Sequence, residues 1–171
     1  MRPPAVVAAR LPSGRVDDGL SEWSRLSIPG FRVQLRYPAI TPRGCTVERA
    51  DERVDGHPIA GDFERVHLTS RDSGELYVEL VRFPGRSPQD EYRLHHPHLV
   101  ERFGEDAVTA LTETTFGAWP AWSYSFRWDD GERAVLLLTV AGDTYRVIYD
   151  PRSELNERVL HTLTVTEQHG A

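Results

Sequence analysis

The stretch from Trp119 to Tyr149 constrains the fold most, because its pattern is typical of neighbouring β-strands. Over residues 122–128 aromatic and polar side chains alternate, and successive residues of a strand face opposite sides of a sheet. The predicted strands of this stretch are 122–128, 134–140 and 144–149, and the predicted turns are 129–132 and 141–143. By periodicity alone, the apolar run 134–140 also fits a buried helix. Short turns between consecutive strands predict an antiparallel meander at the centre of the fold.

Further strands are predicted on the N-terminal side of this meander. Residues 31–37 alternate between apolar and polar, and Pro38 ends the strand because it cannot donate to a β-ladder. Residues 63–69 and 76–83 resemble a hairpin with a polar, Gly-containing connection. Shorter or weaker strand signals lie at 46–49 and 107–116.

Two helices complete the predicted order of elements. The first begins after Ser87, a suitable N-cap followed by Pro, and ends at Gly104. Pro97 lies inside it, so we expect a kink or a split near that residue. The second helix follows the meander, with Asp150 as the expected cap and apolar residues at helical spacing over 155–163.

Length and charge exclude several classes of protein. A chain of 171 residues is long enough for one domain, predicted over residues 21–166 between a mobile N-terminal arm (1–20) and a frayed tail (167–171). Its 20 basic and 26 acidic residues give a net charge of −6, which argues against binding nucleic acid through phosphates. No apolar run has the ~20 residues of a membrane span, and the first ten residues lack the apolar core of a signal peptide. We therefore expect a cytoplasmic protein.

Three histidines, His95, His96 and His98, form the densest group of potential metal ligands. Adjacent helical residues point about 100° apart, so three histidines at this spacing do not converge easily on one ion. Surface histidines on a Pro-containing helix are therefore the favoured interpretation, and a metal-binding protein or metal-dependent enzyme built on this cluster is the alternative. Nucleophile-elbow and phosphate-loop motifs are absent from the sequence. No catalytic residue and no cofactor is predicted, and we do not expect an enzyme.

The aromatic row of the first meander strand has two interpretations. Its members are Trp122, Tyr124, Phe126 and Trp128. Aromatic rows on strands are usually core, and core is the favoured interpretation here. If the sheet face is left partly uncovered, the row becomes a hydrophobic groove for a partner helix or an apolar ligand.

Three segments in this order resemble the Mog1/PsbP-like superfamily of α/β/α sandwiches, including bacterial domains of unknown function related to DcrB. They are residues 31–38, the Gly117-x-x-Pro120-Ala121 segment leading into the meander, and residues 145–151 running into the last helix. The resemblance covers about residues 23–165. It implies an α+β fold in which helices flank a mostly antiparallel sheet.

The resemblance also indicates a class of function. Known roles in this superfamily are mostly binding roles, and the superfamily has no shared catalytic motif that this chain can be matched to. We therefore expect a non-catalytic module that binds a protein or an apolar peptide. A chaperone or adaptor for a secreted or membrane-associated partner fits that description.

Overall fold

The computed structural model describes residues 23–26, 30–38, 45–50, 64–70, 76–129 and 131–166. These residues form two antiparallel sheets and two α-helices, so the chain is α+β, as predicted. The proposed N-terminal arm (1–20) and tail (167–171) lie outside the described residues.

The larger sheet has seven strands in the order β3-β4-β5-β9-β8-β7-β6, and the smaller has the order β1-β2-β10. The strands are β1 (Trp23–Leu26), β2 (Val33–Pro38), β3 (Cys45–Ala50), β4 (Glu64–Ser70), β5 (Leu76–Phe83), β6 (Thr112–Phe116), β7 (Trp119–Trp128), β8 (Gly131–Val140), β9 (Asp143–Tyr149) and β10 (Thr164–Val165). The registers of β7 with β8 and of β8 with β9 confirm the predicted meander.

The helices are α1 (Pro88–Phe103) and α2 (Glu154–His161). Ser87 caps α1 by accepting a hydrogen bond from the Asp90 amide at 3.1 Å, and Gly104 ends it with a φ of 93°. Within the described part of the chain, neither helix has the length and apolarity needed to cross a membrane.

The large sheet separates two apolar cores, and alternation along β8 divides its side chains between them. Ala134, Leu136 and Leu138 belong to the core that includes Val159 and Leu160 of α2 and the inward residues of the small sheet. Val135 and Leu137 belong to the core that includes Leu99 of α1. We call these the α2 face and the α1 face. The two helices thus lie on opposite sides of the sheet.

The small sheet combines β2, which the sequence predicted as the strand 31–37, with β1 and β10, which it did not predict. Polar contacts join this sheet to β9 and to the end of α2. The Arg32 amide donates to the Tyr145 hydroxyl of β9 at 2.9 Å. The Thr162 hydroxyl, just after α2, accepts from the Arg36 amide at 2.7 Å. Because β10 pairs with β2, the last described strand closes onto one of the first.

Three other predictions need correction. α1 is continuous over 16 residues, so Pro97 does not split it; a proline removes only one donor, and the rest of the helix is anchored by packing. The predicted strand 107–116 is shorter, because residues 105–107 form a 3-10 turn and β6 begins at Thr112. The cap of α2 is Ser153, which accepts from the Asn156 amide at 3.2 Å, and Asp150 lies before it.

The turn between β8 and β9 holds an alanine in a costly conformation. Val140 pairs with Asp143, and both residues between them have positive φ, 51° at Ala141 and 85° at Gly142, as in a type I′ hairpin. We expect Ala141→Asn to raise the free energy of unfolding by about 0.5–1 kcal/mol, since asparagine tolerates this region better. Ala141→Val should lower it, because β-branched residues tolerate it least. Urea denaturation measures both, and equal stability of the three proteins would contradict the assignment.

Candidate binding groove

The aromatic row of β7 is mostly core. Tyr124 and Phe126 are each 2% exposed beneath α1. The Tyr92 ring lies 5.0 Å from the Tyr124 ring, and the Phe103 ring lies 5.9 Å from the Phe126 ring, between centroids. A partner could not reach Tyr124 or Phe126 unless α1 moved away. Their burial thus agrees with the favoured core interpretation.

The ends of the row are less covered. Trp122 is half-buried, and Trp128 is 37% exposed with the Arg102 guanidinium 4.6 Å above its ring. The Phe103 ring also packs against Trp128, at 5.2 Å between centroids. Trp128 therefore lies at the end of the α1 core, partly covered by Phe103 and Arg102.

The three histidines of α1 lie in different surroundings. His95 is half-buried, with Nδ1 2.5 Å from the Tyr124 hydroxyl. The His96 ring lies 5.1 Å from that of Tyr92, and His98 is exposed. No group of three or more His, Cys, Asp or Glu side chains suited to a metal ion occurs among the residues that the structure describes. The metal site stays a prediction, without a ligand cluster to support it there.

Beneath α1 lies a buried charge network that the sequence did not reveal. Its centre is Arg146 of β9, 3% exposed, whose guanidinium donates to Glu91 at 2.6 Å and to Glu79 at 3.2 Å. Glu91 of α1 is 2% exposed and also accepts from Arg86 at 2.8 Å. The Arg146 Nε is buried with no hydrogen-bond partner among the described residues. Two cations and two anions therefore neutralise one another where the helix meets the sheet.

Burial and these charges set the protonation of the network. Burial alone would lower the pKa of Arg146, but the carboxylates of Glu91 and Glu79 outweigh it and raise that pKa. Burial raises the pKa of the Tyr124 hydroxyl, against the opposing effect of Arg146. Arg146 therefore stays charged and Tyr124 neutral near neutral pH. These properties suit a structural anchor for α1, since each hydrogen-bonding carboxylate already faces a cation.

An apolar groove of about 280 Å³ opens on the other side of the sheet, the α2 face. Its walls are the β6–β7 hairpin, β8, the end of α2 and the start of β10, contributed by residues 116–119, Leu138, His161 and residues 163–165. Trp119 is 38% exposed at its mouth, whereas Leu138 and Leu163 form a buried floor. His161 and Thr164 supply the polar rim. Among the described residues, this is a concave, apolar surface with an aromatic side chain available to a partner.

Local sequence positions the two aromatic walls of the groove. Phe116 pairs with Trp119, and the two residues between them form the turn. Gly117 has a φ of 58°, while Ala118 is not among the residues of positive φ, which is the pattern of a type II′ hairpin with Gly first. Directly paired residues of a hairpin project on the same face. The turn therefore places both rings side by side on the α2 face.

The sequence drew attention to the segment that forms this turn, but not to the groove. The Gly117-x-x-Pro120-Ala121 segment marks the turn, and Trp119 is an aromatic residue next to it. The opposite wall comes from α2 and β10, some 45 residues further along the chain, which no local pattern connects to the turn. The chain matches no protein-family model, and a comparison with curated proteins finds no significant relative.

Proposed function

We propose that the protein is a non-catalytic binding module that receives an apolar peptide segment of another protein in this groove. The observation that carries the proposal is Trp119, a large apolar side chain 38% exposed at the mouth of an apolar concavity. Exposed tryptophans in concave apolar sites are frequent anchors of protein interfaces. The resemblance to a superfamily of binding proteins supports the same class of function.

A groove of this size suits one or two apolar side chains of a partner. At about 280 Å³ it lies at the lower end of small-molecule sites, and its polar groups are limited to its rim. None of the residues that line the groove is an Asp, Glu, Lys or Arg. We propose a chaperone or adaptor role in the cytoplasm, for a secreted or membrane-associated partner that offers such side chains.

The proposal is tested by substituting two tryptophans of nearly equal exposure, one in the groove and one outside it. Random seven-residue peptides displayed on phage are selected on the protein, and the recovered peptides should be rich in apolar residues. Trp119→Ala should weaken their binding about 30-fold, as expected for an interface anchor. Trp128→Ala is the matched control, since Trp128 is 37% exposed on the opposite face. Peptides that bind Trp119→Ala as well as the unchanged protein, or no selected peptide at all, would refute the proposal.

A further inference from the structure

The groove begins at β6, and β6 is an outer strand of the seven-stranded sheet. Within the described ranges it pairs with β7 alone, in an uninterrupted register from Thr112↔Ser123 to Phe116↔Trp119. An outer strand presents unpaired backbone amides and carbonyls along its free side. The groove and this free side therefore meet at Phe116.

The hairpin determines which backbone groups of β6 point away from the sheet. A two-residue turn is closed by a hydrogen-bonded pair, here Phe116 with Trp119, and hydrogen-bonded pairs alternate along an antiparallel ladder. The groups of Thr114 and Thr112 thus also face β7. Further along β7, the Ser125 amide donates to the Thr109 hydroxyl at 2.8 Å, and the Ser125 carbonyl accepts from the Thr109 amide at 2.9 Å. The backbone groups of Ser125 therefore also face the β6 side of β7, as the alternation requires. The amides and carbonyls of Glu113 and Thr115 consequently face outward.

This edge lacks two of the devices that usually prevent pairing with another strand, a proline and a β-bulge. Its sequence, Thr-Glu-Thr-Thr-Phe, contains no proline, and its register with β7 contains no bulge. Three of its five residues are β-branched threonines, which favour extended backbone. Glu113 is its one charged residue. Among the residues that the structure describes, none pairs with the outer side of β6, and its sequence suits pairing with a further strand.

We propose that the partner segment binds as an added β-strand on β6, with alternate side chains directed to the groove; this inference depends on the proposed function. A side chain opposite Phe116 on the α2 face would lie about 5 Å from it, at the groove's open side. Side chains of the other set would face Glu113, so a basic or neutral segment fits better than an acidic one. A second copy of this chain fits worse, because each copy carries a net charge of −6 and brings its own Glu113 to the edge.

The test uses an acetylated, amidated peptide of sequence Val-Thr-Val-Lys-Val-Thr-Leu, titrated into the isotope-labelled protein and followed by NMR. Two further peptides carry N-methyl groups on one or the other alternate set of amides. If the peptide binds as an added strand, methylation of one set of amides abolishes binding and methylation of the other set leaves it unchanged, since only one set of amides faces β6. Replacing the central lysine by glutamate should weaken binding several-fold.

A variant tests the same bonds from the protein side. Thr115→Pro removes an outward amide while leaving the ladder to β7 intact, and should weaken binding about tenfold. Thr115→Val is its matched control, and circular dichroism checks that each variant folds. If Thr115→Pro does not fold, the methylated peptides still show whether the peptide binds as an added strand.

The outcomes separate the mode of binding from the function. Equal binding of both methylated peptides, with loss of binding in Trp119→Ala, would overturn strand addition and leave the groove intact. The same holds if selected peptides bind but the alternating peptide does not at about 1 mM. A dimer in solution that Thr115→Pro dissociates would assign the edge to a second copy and overturn the proposal. No binding by any peptide would overturn both proposals.

Discussion

Arg146→Met should lower the free energy of unfolding by about 3–5 kcal/mol, since it removes the cation that Glu91 and Glu79 share beneath α1. Glu91 would keep its ion pair with Arg86, and Glu79 would lose its 3.2 Å bond from the guanidinium. Methionine fills a similar volume, so the loss reports mainly charge and hydrogen bonding rather than a cavity. Urea denaturation with a constant m-value measures it.

Three further variants isolate the cause. Arg82→Met breaks a partly exposed pair with Asp143, at 2.9 Å, and should cost about 1 kcal/mol or less. Arg146→Met leaves the network with two carboxylates and one cation, so adding Glu91→Gln removes the excess negative charge and should recover part of the loss. The single variant Glu91→Gln completes the comparison, and a double variant as unstable as the sum of Arg146→Met and Glu91→Gln would contradict a coupled network. So would a loss of under about 1 kcal/mol for Arg146→Met.

Phe126→Ala should destabilise the protein by about 3–5 kcal/mol, because Phe126 is buried in the α1 core between Phe103 and His95. Trp128→Ala removes a larger ring from the same face of the same strand, yet we expect the smaller loss. Trp128 is 37% exposed, and part of its ring is covered only by Arg102. Thermal and urea unfolding of both variants measure the difference.

This comparison decides between the two interpretations of the aromatic row. If the row were a binding groove, both substitutions would be tolerated alike and would act on affinity. If the row is core, the free energy of unfolding falls strongly in Phe126→Ala and little in Trp128→Ala. Equal and small losses would therefore restore the groove interpretation for this face of the sheet.

The meander was predictable because its strands are adjacent in sequence and its turns contain Asp and Gly. Alternation over residues 122–128 also predicted correctly which side chains share a face. Alternation also predicted β2 of the small sheet, but it could not show that β2 belongs to a second sheet with β1 and β10. β10 has two residues and pairs with β2, about 130 positions earlier, so only tertiary packing identifies it as a strand.

The candidate site was less predictable for the same reason. Arg146 follows the alternation of β9, which places it on the same face as Ile148, and an arginine at such a position signals a buried partner. Its partners lie on α1 and β5, and their distance along the chain hides the network. The groove likewise combines a local hairpin with a wall from α2 and β10. Local patterns predicted the helices and strands, whereas their positions relative to one another could be seen only in the structure.

The pairing of β5 with β9 has a consequence for the order of folding. The strands β7, β8 and β9 are linked by short turns and can associate while the rest of the chain is still unfolded. β5 and β9 are neighbours in the sheet, but α1, β6, β7 and β8 lie between them in the chain. Closing that long loop is entropically costly, so we expect the pairing of β5 with β9 to be a late, rate-limiting step of folding.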